Sequence, residues 1–252
     1  MNSIIETSVV LFGILEEDSN NYRKLSKKSL SVLLVKTDKG YRLPTYECKD
    51  NIDIEKQSVK AVENDTGLNK IYVEQLYTFS NVKDNGLFIN PTFLGLVSKR
   101  KMYDGLKDNC YWSQLNILEN DQGYECEIVN EAETFVFKVS KKLKEQTTDR
   151  YKFIEEENGK LVKGVSVILI AAFERLKNKI WYTDIVFNMM DELFTLKELQ
   201  HVYETIENKP LLDAAFRRSI CDKVEETDKY LKGVGCRPSR LFKYKEKNPW
   251  DR

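Results

Sequence analysis

The chain has 252 residues, 40 Lys and Arg against 40 Asp and Glu, and a formal net charge of zero. That balance excludes a whole-protein field pulling the chain toward nucleic acid or membrane, so any such attraction must come from local asymmetry. Its 41% hydrophobic content is that expected of a soluble globular protein with one large domain or two small ones.

Ser8 to Ile14 (SVVLFGI) is a buried-strand pattern, and the charged stretch from Glu16 to Lys28 reads as a loop. Leu30 to Lys36 is a second strand, Asp38-Lys39-Gly40 a turn, and Tyr41 to Pro44 a short extended piece. Asp53 to Thr66 reads as a helix with Asp53 as N-cap, Gly67 just past its end, and Ile54, Val59 and Val62 pointing inward. Ile71 to Phe79 returns to strand, Asp84-Asn85-Gly86 is a turn, Thr92 to Val97 is another strand, and Trp112 sits in a further extended segment. Two alternating strands follow, YECEIV and TFVFKV, joined at Asn130-Glu131, then a lysine-rich loop and a hairpin turn at Asn158-Gly159. Val165 to Phe173 (VSVILIAAF) is apolar on nearly every side and by composition fits a buried strand. It is too short to span a bilayer, and no signal peptide opens the chain. This order of strands and helices indicates an α/β sandwich with a mixed sheet.

Phe194 to Lys245 reads as two short helices and a basic hairpin. Thr195 and Glu198 form a capping box, and Leu196, Leu199, Val202, Tyr203 and Ile206 recur at helical spacing. Asn208-Lys209-Pro210 makes the turn, with Pro210 where a second helix can start. In that helix Leu212, Ala215, Phe216 and Ile220 share the inward face, opposite Ala214, Arg217, Arg218 and Cys221. Adjacent outward arginines on a short second helix suit entry into a DNA major groove. Gly233 and Gly235 mark a turn, after which Leu241 alternates with Arg240, Phe242 and Lys243 as in a strand. From Lys229 to Lys247 the cations are Lys229, Lys232, Arg237, Arg240, Lys243, Lys245 and Lys247, and only Glu246 opposes them. The plain alternative is a small helical lobe with a solvated basic tail.

Cys48, Cys110, Cys126, Cys221 and Cys236 are scattered, without zinc-ligand spacing, and His201 is the one histidine. No structural zinc is expected, and a reducing cytoplasm is the natural setting. Cys221, on the outward helix face, reads either as a redox handle or as a plain edge cysteine.

From Ser8 to Ser98 the chain resembles the Nudix fold, an α/β/α sandwich with a mixed sheet. The motif runs from Tyr41 to Leu68, where Leu43-Pro44, Val62, Gly67 and Leu68 hold their places. Anchored on Gly67, the three metal carboxylates of the family fall on Ala61, Asn64 and Asp65, its arginine on Lys60 and its leading glycine on Tyr46. Glu63 lies about 100° around the helix and does not replace them. One carboxylate of three is too weak a donor set for a divalent ion, so hydrolysis by the usual route is not expected. Glu47, Asp50 and Asp53 in the preceding loop remain the source of any residual metal-dependent activity.

Together with the C-terminal module, this resembles the Nudix-related transcriptional regulators. The resemblance rests on Val73 to Phe79, Ala172 to Ile180, Tyr182-Thr183, Phe194 to Gln200, Val202-Tyr203-Glu204, Phe216-Arg217-Arg218 and Arg237-Pro238-Ser239-Arg240-Leu241. It implies a sensor domain over 1–159 and a connecting helix with a winged helix over 160–252. It also implies a homodimer on a double-stranded, pseudo-palindromic operator and a nucleotide-type effector such as ADP-ribose. Val165 to Phe173 becomes a helix in this reading, either a candidate dimer interface or ordinary core. Two departures bear on specificity. The family's Arg-Asn pair before Phe-Arg is Ala214-Ala215 here, and its Ala-Phe-Asp-His run is absent. The expected DNA-binding residues are Arg217, Arg218, Lys209, Arg237, Arg240 and Lys243. Arg42 and Tyr46 are placed to meet a phosphate and a base, or are surface residues of an inert fold. No catalytic residue, metal or cofactor is expected. The rival readings are a Nudix hydrolase of a nucleoside diphosphate derivative with a C-terminal dimerisation lobe, and a ligand-sensing scaffold.

Overall fold

Apolar runs in the first two-thirds of the chain assemble into one sheet, seen in a computed structural model that describes residues 4–17, 27–48, 53–83, 86–143, 151–231 and 238–246. The elements in order are β1 (Ile4–Glu17), β2 (Lys27–Thr37), β3 (Gly40–Arg42), β4 (Thr45–Glu47), α1 (Ile54–Thr66), β5 (Tyr72–Lys83) and β6 (Gly86–Leu96). There follow β7 (Cys110–Asn120), β8 (Gly123–Val129), β9 (Thr134–Leu143), β10 (Tyr151–Glu157), α2 (Val165–Lys179), α3 (Leu196–Glu207), α4 (Asp213–Ile220), β11 (Val224–Leu231) and β12 (Ser239–Tyr244). The main sheet runs β10-β9-β8-β7-β2-β1-β6-β5, with β3 on β2 and β4 on β1. It is mixed, as expected: β1 and β6 are parallel, from Ile4 opposite Phe88 to Phe12 opposite Leu96, and the other neighbours are antiparallel.

The central strands are apolar on both sides over most of their length because both faces are covered. Val9, Leu11, Leu33 and Val35 face α1, and Val10, Phe12, Val32 and Leu34 face the α2–α3 side. This is the α/β/α sandwich. The charged stretch expected to be loop is partly strand: Glu16 pairs with Lys28 across β1 and β2, their side chains 2.7 Å apart. Reciprocal charge at facing positions stabilises a strand end that hydropathy alone reads as solvent.

Helix α1 is capped as the sequence indicates. Asp53 accepts from the Lys56 N–H at 2.8 Å, and Gly67, at φ 82°, donates to the Glu63 carbonyl at 3.0 Å. Its buried stripe is Gln57, Ser58, Ala61, Val62 and Thr66, whereas Ile54 is exposed and Val59 only half-buried. The inward face is thus built of small and polar residues, because α1 lies close on β1 and β4. The joint at Asn130 is a turn in which its Oδ1 accepts the N–H groups of Ala132 and Glu133, both at 3.0 Å. Asn158-Gly159 turns the chain but forms no hairpin: Leu161 leaves it to bridge Tyr41 in parallel. The expected lysine-rich loop begins as strand, Lys141 and Lys142 lying in β9, and its remainder over 144–150, with Asp84, Asn85, Gly233, Gly235 and Cys236, lies outside the described residues.

Val165 to Phe173 is helical, and Leu169, Ile170 and Ala172 are wholly or almost wholly excluded from solvent within one chain. Its all-round apolarity is therefore satisfied between the sheet and α3, as ordinary core burial within one chain. Phe173, Leu176, Leu199, Val202, Tyr203, Phe216 and Ile220 belong to the same apolar cluster as the lower face of the sheet. No helix among the described residues is long and apolar enough to cross a membrane.

Candidate functional site

The C-terminal surface is built on the turn between α3 and α4. The capping box forms: Glu198 N–H donates to Thr195 Oγ1 at 3.1 Å, and Thr195 N–H donates to Glu198 Oε2 at 2.7 Å. Asn208, at φ 53°, ends α3. Buried Gln200 lies with Nε2 within 3.0 Å of Glu204 Oε1, the Leu211 carbonyl and Asp213 Oδ1, and Glu204 Oε1 also accepts the Leu211 N–H at 2.9 Å. These bonds tie the turn and the first residue of α4 to α3. Helix α4 begins at Asp213 and not at Pro210, because the backbone is still extended at Leu212, with ψ 120°. On α4 only Phe216 and Ile220 are buried. Leu212 and Ala215, expected on the same face, are exposed, because this eight-residue helix presents a single i, i+4 pair to the core. Phe216 meets the edge of Tyr203 at 5.2 Å, and the Tyr203 hydroxyl donates to the Ile180 carbonyl at 3.1 Å.

That anchoring leaves Ala214, Arg217, Arg218 and Cys221 exposed, as the sequence implied. Among the described residues neither arginine makes an ion pair. Arg218 only touches the Ala214 carbonyl through Nε at 3.4 Å. Lys209, on the turn, is exposed and pairs with Glu207 at 3.0 Å.

The hairpin beyond α4 has a strand that the sequence reading missed, β11 (VEETDKYL), because its pattern is mostly polar. It lies antiparallel to β12, with Glu225 opposite Lys243 and Tyr230 opposite Arg240. Lys243 Nζ is 3.0 Å from Glu225. Arg240 pairs with Glu226 through Nη1 and donates to the Tyr230 hydroxyl at 2.8 Å and 3.2 Å. The hairpin is therefore of mixed charge: acids from the strand before it lie against its cations, and Glu246 is not their only opponent. Arg237 lies outside the described residues. The base of the hairpin is fixed by reciprocal bonds between Phe194 and Phe242, at 3.0 Å and 2.7 Å, and by Asp184. The latter carboxylate lies 2.9 Å from Lys223 and accepts from Tyr244 Oη at 3.0 Å. Burial, aided by Asp184, pushes the Tyr244 hydroxyl up to about 12.

At the degenerate box the surviving carboxylate has a structural partner. Asp65 is clasped by both terminal nitrogens of Arg42, one at 2.9 Å, and accepts the Thr45 N–H at 2.7 Å. Arg42 also donates to the Leu43 carbonyl at 2.9 Å. Ala61 is fully buried in the α1 core, Asn64 is exposed, and Lys60 sits 5.7 Å from the centre of the Tyr46 ring. Asp53 is used as a helix cap, and Asp50 lies outside the described residues. No group of three His, Cys, Asp or Glu side chains among the described residues could hold a metal ion. Both Asp65 oxygens already accept from cations or backbone, so this donor set does not fit a divalent ion. Arg42 and Tyr46 lie on the adjoining short strands β3 and β4, each engaged with a side chain of α1. Burial, reinforced by Asp65, raises the neighbouring Cys110 thiol to about 11, leaving it an inert neutral group.

Residues 186–244 match the family model described as the NrtR DNA-binding winged helix domain. Over this segment the chain is NrtR-like. A Nudix-type α/β/α sandwich is followed by an NrtR-type winged helix, in which α3 and α4 are the helix pair and β11–β12 the wing. Over 79 residues it is 44% identical to the ADPR responsive transcriptional repressor NtrR of Acinetobacter baylyi, a match covering 31% of this chain and 31% of that one. Among solved structures, NrtR of Shewanella oneidensis complexed with a 27mer DNA aligns over 96% of this chain and 93% of its own, with TM-score 0.61 and 20% identity. A MutT/nudix family protein from Enterococcus faecalis aligns over 97% and 87%, with TM-score 0.69 and 17% identity. At these identities the two structural likenesses are ones of fold.

Proposed function

We propose that the protein is a DNA-binding transcriptional regulator whose Nudix-type portion, over 1–159, senses a nucleotide-type metabolite such as ADP-ribose. The portion over 160–252 would carry the response to the duplex. The observation that carries this reading is the exposed Arg217–Arg218 pair, neither member in an ion pair among the described residues, on a helix anchored by Phe216 and Ile220 inside the matched winged helix. Arginine forks of this kind recognise guanine edges or phosphates. Lys209 at the turn, with Arg237, Arg240 and Lys243 on the wing, would add backbone contacts. Two copies on a pseudo-palindromic operator would place two such helices one turn of duplex apart.

The sensor role is supported by the ADPR-responsive relative and by the occupation of Asp65 by Arg42, which argues against metal-dependent hydrolysis by the usual Nudix route. In this reading Tyr46 offers a ring to a base. Arg42 reaches a phosphate only where it can share its fork with Asp65. The effector shifts DNA binding only by its differential affinity for the two placements of the winged helices. Free thiols at Cys48, Cys110, Cys126 and Cys221 are compatible with a reducing cytoplasm.

Gel shifts on the duplex upstream of the protein's own gene, at several salt concentrations and with and without ADP-ribose, test the reading. The Arg217→Ala/Arg218→Ala variant is expected to lose binding by about 1–3 kcal/mol per base-reading arginine. Wild-type-like binding by that variant would show the recognition helix to be misassigned. Brisk release of nucleoside monophosphate from a diphosphate panel with Mg²⁺ would restore the hydrolase reading.

A further inference from the structure

The wing carries its own anions. Glu225 faces Lys243 across the β11–β12 register, 3.0 Å from its Nζ, and Glu226 reaches Arg240 from the same strand. Arg240 is also held by Tyr230: its guanidinium carbon is 5.5 Å from the ring centre, and Nε and Nη2 both donate to the hydroxyl. Every nitrogen of the Arg240 fork thus has an acceptor on β11. On α4, by contrast, Arg217 and Arg218 make no ion pair among the described residues. The two cationic features of this surface are therefore unequal, one open and one held by local acids.

We propose that Glu225 and Glu226 set the strength of the wing's grip on a duplex by competing with phosphates for Lys243 and Arg240. This rests on the DNA-binding reading above. Phosphate contacts are sequence-independent and work by releasing counterions. A lysine or arginine already neutralised by a carboxylate has less counterion release to offer, and the carboxylate itself repels the phosphate. Exposed pairs of this kind are individually weak, so phosphate can displace them. The acids lower general DNA affinity without closing the wing. Base readout by α4 then counts for a larger share of total binding, while the ratio of cognate to random affinity is left unchanged, because both duplexes present the same phosphates to the wing. Glu225 and Glu226 act through Lys243 and Arg240 and are not themselves contact residues.

The test compares the wild type with Glu225→Gln/Glu226→Gln on two duplexes of equal length, one from upstream of the protein's own gene and one of random sequence. A second variant, Glu55→Gln/Glu131→Gln, removes the same number of exposed acids from outside the winged helix and controls for net charge. Thermal melts check that each variant folds. With a unit charge acting through water over roughly 7 Å, each wing acid is expected to weaken binding about threefold at low salt. The Glu225→Gln/Glu226→Gln variant should bind both duplexes about tenfold more tightly, with log K falling about one to two units more steeply in log salt. The ratio of cognate to random affinity should not rise. Unchanged or weaker binding by the wing variant, or an equal gain in the control variant, overturns the proposal. Failure of the wild type to bind either duplex overturns the functional reading and this proposal with it. Normal wild-type binding with an unresponsive wing variant overturns the proposal alone.

Discussion

Arg42 and Asp65 give the sharpest test of what has become of the metal-binding face. Asp65→Ala removes two charge-assisted bonds from Arg42 and the acceptor of the Thr45 N–H. Their side chains are 30% and 18% exposed, so the guanidinium left behind regains water while the Thr45 N–H is orphaned near the α1 core. A net hydrogen bond to a charged group contributes about 1.5–3 kcal/mol, and partial exposure puts the whole loss at about 2–3 kcal/mol. Arg42→Ala leaves Asp65 with Thr45 alone and is expected to cost about 2 kcal/mol. If the two side chains act as one clasp between β3 and α1, the double variant is only slightly worse than either single. The coupling energy is then about 1–2 kcal/mol. Urea unfolding of the wild type, the two single variants and the double variant measures it directly. Additive losses, with coupling within about 0.5 kcal/mol of zero, would refute the clasp and return Asp65 to the list of groups available for a metal.

Three further outcomes follow from the packing. Gln200→Leu removes the amide that links α3 to Leu211 and Asp213, so stability should fall by about 1–3 kcal/mol and DNA affinity should fall with it; urea melts and gel shifts read both. Gly67→Ala would force a side chain into the left-handed region, with a Cβ placed 2.1 Å from the Gly105 carbonyl oxygen, so a loss of at least about 2 kcal/mol is expected in thermal unfolding. The Lys141 bond, then burial in opposition, and the Lys177 bond together hold the Glu119 carboxyl below its ordinary 4.5. A depressed carboxyl contributes stability above that ordinary value and loses it as pH falls through the lowered one. Glu119→Gln should therefore flatten the acid side of the Tm–pH curve, and parallel curves would contradict this.

Local patterns in the sequence were enough for much of this molecule. Val9 to Phe12 are apolar at every step and Leu30 to Val35 at every step but Ser31, a pattern suited to strands covered on both faces, and the central strands lie there. Asp53, Gly67, Thr195 and Glu198 announced their helix ends because capping is chemistry between near neighbours in sequence. The loss of metal donors at Ala61 and Asn64 was equally legible, since spacing along a helix fixes which residues share a face. Other features depended on partners far away along the chain. Val165 to Phe173 had the composition of a strand and was a helix by resemblance, but its burial within one chain, between the sheet and α3, comes from residues distant in sequence. Asp65 looked like a surviving metal ligand until the fold brought Arg42 to it, across 23 positions. The wing looked strongly basic because Glu225 and Glu226 stand 14 to 18 positions away from the cations they meet. Charge along a chain counts residues, whereas the field at a surface depends on which of them strand pairing sets side by side.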